Sequence, residues 1–146
     1  MSDVDVRPAE EGDLSGVLGL LYGGRTEPSE REVTTWGAMI SRPDTTVYVA
    51  KLAVEVVGTA TFLVLENIAY DCRPTAFIEA MRVADEHRRR GIAALILRTM
   101  LDDARELGCY EIQLLAHKRH AHDGAHALYK SVGFEEEAAG FRLYLD

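Results

Sequence analysis

The sequence predicts an α/β fold of the α+β kind, a mixed sheet of about six or seven strands with about four helices on its faces. Three features carry this reading. Between Thr46 and Ala84, runs rich in β-branched residues follow one another with short breaks, as neighbouring antiparallel strands do. From Ile92 onward, Ile92, Leu95, Ile96, Met100, Ala104 and Leu107 recur at helical spacing. Strand and helix patterns then alternate, giving the order βααβββαβαββ with no internal repeat.

Val4-Asp5-Val6-Arg7 alternates and meets Pro8, which suits a short opening strand. Asp13 is placed to cap a helix carrying Leu14, Val17, Leu18 and Leu21, and Gly23-Gly24 ends it in a flexible loop through Pro28. Ser29 to Ile40 reads as a second helix with Val33, Trp36 and Ile40 on one stripe, broken by Ser41-Arg42-Pro43-Asp44. Thr46 to Val57 and Thr59 to Leu65 form two antiparallel strands, with the turn either at Gly58 or nearer Ala53 to Glu55. Asn67 to Pro74 is loop and Thr75 to Ala84 the third strand of this group. The helix from Ile92 stops where Gly108 can take a left-handed conformation. Tyr110 to Ala116 is a strand, Lys118 to Ala121 a polar loop, and Asp123 to Val132 a shorter helix ended by Gly133. Phe134 to Glu137 and Phe141 to Leu145 read as a closing hairpin over Ala138 to Gly140.

At 146 residues, the chain suits one domain over 1–146 with a sizeable core. A net charge of -8 argues against a general nucleic-acid binder and favours cationic partners, while leaving room for a local basic site at Arg88 to Arg90. The polar, acidic residues 1–13 carry no secretory pattern, and no apolar run approaches the roughly 20 residues needed to span a bilayer. The expectation is a cytoplasmic protein that engages neither membrane nor nucleic acid. Cys72 and Cys109 form no paired metal motif and read as two buried or incidental thiols rather than a disulfide.

Two stretches carry chemistry. The first runs from Glu79 through Arg88-Arg89-Arg90-Gly91-Ile92-Ala93, from a strand through a basic turn into the strongest helix. The first amides of a helix lack intrahelical partners and sit at its positive dipole end, so this arrangement suits an anion. Gly91 permits unusual dihedrals, Ala93 keeps the wall low and the arginines add charged donors; the plain alternative is a solvated basic loop. The second is Ala125-His126-Ala127-Leu128-Tyr129-Lys130-Ser131-Val132-Gly133-Phe134, an amphipathic helix with a glycine stop.

Together these stretches closely resemble the GNAT superfamily of acyl-CoA-dependent N-acetyltransferases. Arg88 to Ala93 is similar to the family's Arg/Gln-x-x-Gly-x-Gly/Ala coenzyme motif, and Ala125 to Phe134 to its Ala-His-x-Phe/Leu-Tyr-x-x-x-Gly-Phe segment. The order of elements also matches over nearly the whole chain. One departure is His122, where many members carry Asn or Arg seven residues before the tyrosine; contacts made from that position are therefore in doubt.

The resemblance implies a mostly antiparallel sheet whose strands splay at the coenzyme site, with acetyl-CoA (coenzyme A) as co-substrate. It implies backbone contacts to the pantetheine arm at Met81 and Val83, with Arg82 between them, and a pyrophosphate cradle from the amides of Arg88, Arg89, Arg90, Gly91, Ile92 and Ala93. An amide near Met81 would polarise the thioester carbonyl. Direct attack by a primary amine, expected to belong to a small molecule, requires a base, and Glu79 is the candidate, against the alternative of an exposed strand carboxylate. In a regular strand, Glu79 shares a face with Phe77, Met81 and Val83, a parity that a bulge would change. Tyr129 is the expected general acid toward the departing thiolate, against a purely packing role. The resemblance also allows a homodimer.

His117, His120, His122 and His126 invite a metal reading that no adjacent cysteine or carboxylate set supports, so no metal is expected. Trp36 is either core or acceptor-pocket wall, and Glu27, Glu30 and Glu32 either a solvated face or an attractor for a cationic acceptor. Two other functions compete: a protein or peptide N-acetyltransferase, and a non-catalytic acyl-CoA-binding sensor. A shallow open groove favours the former; Glu79 and Tyr129 out of reach of the thioester favour the latter.

Overall fold

A computed structural model describes residues 3–118 and 124–146. By its internal contacts, the chain divides into two compact units, Met1–Leu114 and Leu115–Asp146.

The first unit is built on a five-stranded sheet in chain order, β1 (Val4–Pro8), β2 (Thr45–Leu52), β3 (Glu55–Leu65), β4 (Thr75–Val83) and β5 (Glu111–Leu114). Every neighbouring pair is antiparallel except β4 and β5, which run parallel. One face is covered by α1 (Leu14–Tyr22) and α2 (Glu30–Ser41), whose Leu14, Val17, Leu18 and Trp36 form one core with Val47, Val49 and Val56. A short α3 (Ala69–Cys72) follows β3, and α4 (Ile92–Glu106) packs on β3 and β4 through buried Ile92, Ile96, Leu97 and Met100.

The α4 boundaries follow its sequence signals. Gly91 enters with φ 79°, and Gly108 leaves with φ 75° while the amide of Cys109 donates to the Ala104 carbonyl. At α2 the Ser29 hydroxyl accepts from the Glu32 amide (3.1 Å) and the Glu32 carboxylate from the Ser29 amide (2.9 Å), a reciprocal capping box. On its stripe Trp36 is buried and Ile40 half-buried, but Val33 is exposed.

Several expectations are corrected. Asp13 does not cap α1 with its side chain; its buried carboxylate accepts from the Glu10 amide and from Arg7 and Lys51. Of the two turn positions left open by the sequence, the β2–β3 turn takes the one at Ala53-Val54, and Gly58 sits inside β3. Close approach favours glycine there: a Cβ on it would stand 3.0 Å from the Ile96 side chain and 3.2 Å from that of Ile92. The segment 67–74, expected as plain loop, contains a left-handed turn with positive φ at Tyr70, Asp71 and Cys72.

The sheet has five strands rather than six or seven. Residues 134–146 form no strand, and Phe141, Leu143, Tyr144 and Leu145 are exposed. Alternation makes a strand only where another strand takes up its ladder, and the run Glu135-Glu136-Glu137 disfavours local pairing by its like charges. In the second unit, the described helix is α5 (Ala125–Ser131). The expected helix start at Asp123 and most of the loop Lys118 to Ala121 lie outside the described residues. No helix among those described is long and apolar enough to cross a membrane.

Candidate active site

The site begins where β4 stops being regular. Thr61 pairs with Glu79 and Thr59 with Arg82, so Ala80 and Met81 together stand against the single residue Ala60. This is a β-bulge, and Ala80 takes φ 55° to make it. The bulge resets the alternation. Glu79 keeps the face of Phe77, because those residues pair with Thr61 and Leu63. Arg82 now joins that face through Thr59, while Val83, paired with Gly58, takes the opposite one. The parity of a regular strand, with Glu79 and Val83 on one face, is therefore broken.

The second irregularity is at the other edge of β4. Its ladder with β5 runs from Thr75↔Glu111 to Ile78↔Leu114 and ends there. Glu79 to Val83 thus have no β5 partner, which leaves a row of backbone donors and acceptors on that edge. Met81 and Val83 are half-buried and Arg82 exposed.

Past β4, the chain makes one 3-10 turn (Asp85–His87) and enters the basic loop. Arg88, Arg89 and Arg90 are all exposed, and Arg88 pairs with Asp85 at 3.0 Å. Arg89 and Gly91 both take positive φ, 64° and 79°, immediately before the first turn of α4. No side chain caps that turn, and a Cβ on Gly91 would meet nothing within 4 Å. Uncapped amides, open space and adjacent guanidinium groups suit a diphosphate. Ile92 is buried in the core and Ala93 half-buried, so these two contribute backbone rather than side chain to such a site.

A cleft of about 340 Å³ lies between α1 and α2 on the sheet face shared by Glu79. Leu14, Val17, Leu18, Trp36, Met39 and Val47 give it apolar walls, and Thr59, Thr61 and the bulge residue Ala80 are at its sheet side. Trp36 is therefore both core and wall; its indole N–H donates to the Glu10 carbonyl at 3.3 Å. Glu79 is exposed beside the cleft, which its cross-strand partner Thr61 and its neighbour Ala80 line. A larger, more polar cleft of about 770 Å³ follows the other flank of α1 and includes Asp13, Lys51, Arg82, Val83 and Glu86.

Of the acidic residues at α2, Glu32 is held in an ion pair. Arg25 grips Glu32 with both nitrogens, at 3.0 and 2.6 Å, and this contact, aided by the Ser29 amide, holds the Glu32 carboxyl down at about 2. Glu30 and Glu27 are respectively exposed and exposed at the helix entry, outside the cleft lining.

In the second unit Tyr129 is half-buried on α5, with its ring edge-on to Phe134 at 6.1 Å and 68°. Its carbonyl accepts from the Phe134 amide at 3.0 Å, which turns the chain after Gly133 back over the helix end. His126 is half-buried on the same helix, with a buried Nε2 that has no hydrogen-bond partner. His120 and His122, including the position that departs from the family pattern, lie outside the described residues.

Among the described residues, one group could hold a cation: Glu55, Glu86 and His87 bring one ligand atom each to within 4.8 Å of one another. It includes neither His117 nor His126, and its two carboxylates are exposed. Sequence reasoning did not foresee the bulge at Ala80, because such a positive-φ position more often advertises itself with glycine. The Arg25–Glu32 pair was equally hidden, though the Ser29-x-x-Glu32 capping box beside it is readable in the sequence.

Comparison with known proteins adds the family context. A family model described as Acetyltransferase (GNAT) family matches residues 16–134. The solved structure of a "putative acetyltransferase" from Agrobacterium tumefaciens str. C58 is similar at 30% identity and a TM-score of 0.87, covering 96% of this chain and 99% of that one. A ribosomal-protein-alanine N-acetyltransferase from Brucella melitensis biovar Abortus 2308 shares the fold at 16% identity and a TM-score of 0.76, covering 98% and 99%. So does AAC(6')-Iy in complex with the bisubstrate analog CoA-S-monomethyl-acetylneamine, at 20% identity and a TM-score of 0.76 with 97% of each chain covered. No curated protein matches the chain.

Proposed function

The chain belongs to the GNAT acetyltransferase family, and on that premise we propose that it transfers an acetyl group from acetyl-CoA to the primary amine of a small molecule by direct attack. The observation that carries the reading is the bulge at Ala80-Met81, where the β5 ladder has ended on one edge of β4 and the apolar cleft opens on the face of Glu79. Two reactants can meet there from different sides. The family model also crosses from the first compact unit into the second, which supports treating 1–146 as one acetyltransferase domain.

Acetyl-CoA supplies an activated thioester carbonyl. In this reading the amides of Arg88 to Ala93 hold the diphosphate at the uncapped start of α4, and the free edge of Met81, Arg82 and Val83 holds the pantetheine arm. Glu79 takes a proton from the incoming ammonium through water, since an exposed carboxylate beside the cleft can relay one. A backbone amide at Met81 donates to the carbonyl oxygen while the C–N bond forms and the C–S bond breaks. Tyr129 gives its phenolic proton to the departing sulfur. No covalent acyl-enzyme is needed.

The test is release of free CoA thiol over a panel of amines, comparing the natural chain with Glu79→Gln and Tyr129→Phe. Loss of a positioned acid or base lowers kcat by about 10²–10⁴-fold. If both variants keep full kcat, the assigned roles are wrong; if acetyl-CoA also fails to raise the melting temperature, the binding reading falls with them. A peptide with a free N-terminal alanine in the same panel distinguishes a protein acetylase from a small-molecule one.

A further inference from the structure

We propose that the cleft between α1 and α2 selects an acceptor whose only positive charge is the reacting amine, carried on an apolar body, and rejects polycations. This rests on the acetyltransferase reading above and specifies its acceptor. The whole chain carries a net charge of -8, which by itself would point to cationic acceptors such as polyamines. The cleft is organised against them.

Its walls are largely apolar: Val17, Leu18, Trp36 and Met39 offer no carboxylate to pair with a second ammonium group. The single carboxylate in the lining, Glu32, is already neutralised by the two-pronged contact with Arg25 and by the Ser29 amide. Arg31, also in the lining, is exposed and has no ion-pair or hydrogen-bond partner among the described residues. An acceptor with a second cation would therefore meet an uncompensated guanidinium and bury its charge against apolar walls, which is costly. A monoamine with an aryl or branched alkyl body loses water only from surface that the walls then cover. The volume of about 340 Å³ is at the small end of the roughly 300–1,000 Å³ range of ligand pockets, which suits such a molecule.

The test uses the full chain saturated with CoA and measures binding of phenethylamine and of spermidine by calorimetry, with turnover on acetyl-CoA measured in parallel. Phenethylamine should bind and turn over at least about tenfold better than spermidine, because a matched methylene in an apolar pocket is worth about tenfold or more. Arg31→Glu and Thr35→Glu each place an acid at an exposed position of the lining and should shift the ratio toward spermidine by about tenfold. Met39→Ala should weaken phenethylamine and leave spermidine unchanged. Equal or tighter spermidine binding by the natural chain overturns the proposal, as does the absence of binding by either amine. If phenethylamine binds but no amine is acetylated, the acetyltransferase reading fails while the cleft's selectivity stands.

Discussion

Gly16 seats α1 on the sheet, and replacing it with alanine tests the geometry on which both clefts depend. A Cβ built on Gly16 would stand 2.5 Å from Cγ2 and 2.8 Å from Cβ of Val56. Carbon pairs prefer about 3.5–4.0 Å, so α1 must lift from β3 by about 1 Å. Two effects oppose each other. Alanine favours the helix over glycine by about 1 kcal/mol. Overpacking a well-filled contact costs about 1–3 kcal/mol, and the upper part of that range applies because Val56 is β-branched and its own Cβ is in the clash. The expected net loss for Gly16→Ala is about 1 kcal/mol by urea denaturation, a melting shift of about 3–4 °C in a chain of this size. The sharper test is the cycle with Val56→Ala, which removes the opposing methyls. Because the 2.5 Å contact with Cγ2 is then gone and the 2.8 Å contact with Cβ stays, Gly16→Ala should cost less in that background, giving a coupling of about 1 kcal/mol between neighbours in contact. Because α1 lines the clefts on both of its flanks, the single variant should also raise KM for the acceptor. If Gly16→Ala alone stabilises the protein by its helix propensity, or if the cycle shows no coupling, the packing argument is refuted.

Asp13 gives a second test. It is 4% exposed, and burial would raise its pKa, but donors on Arg7, Glu10 and Lys51 outweigh that and hold it below 3.8. Its pairing therefore contributes stability above about pH 3.8 and loses it as pH falls through the depressed folded value. Asp13→Asn should cost about 2–3 kcal/mol at pH 7, short of the full penalty for halving a buried pair because Arg7 and Lys51 still reach water. Urea denaturation should find the gap from the natural chain narrowing below pH 3.8, and an equal gap at pH 7 and pH 3 would refute the assignment. A third test concerns the thiols: Cys72 is exposed, whereas burial pushes the Cys109 thiol up despite nearby Arg73. A thiol reagent should label one cysteine in the folded protein and the second on unfolding; two fast reactions would contradict the burial of Cys109.

What could be read in the sequence was local in origin. The apolar period from Ile92 and the paired glycines Gly91 and Gly108 mark α4, because periodicity and left-handed termini are properties of a few adjacent residues. The Arg88-x-x-Gly91-x-Ala93 loop was legible for the same reason: it combines a special backbone position with charges in one short stretch. Features that depend on distant partners were not legible. Gly58 looks like a turn residue in isolation, and only the approach of Ile92 and Ile96 explains a glycine inside a strand. The alternating residues 141–145 look like a strand, yet the structure gives them no ladder.

The bulge at Ala80 shows why the proposed coenzyme end of the site was readable and the proposed acceptor end was not. A diphosphate is held by backbone amides at a helix start, so the sequence needs only a glycine and a few arginines to announce it. The acceptor side depends on which side chains share a sheet face, and one extra residue in β4 changes that assignment for everything beyond it. Counting by twos from Glu79 places Val83 beside it; the paired register instead brings Arg82 to that face. The reset puts Arg82 on the sheet face of Glu79. Arg82→Gln therefore tests whether the bulge matters to turnover. If the reset face positions the reacting groups, kcat/KM should fall by about tenfold or more, while thermal stability should hardly move because the Arg82 side chain is exposed. An unchanged kcat/KM would reduce the bulge to a feature of strand geometry alone.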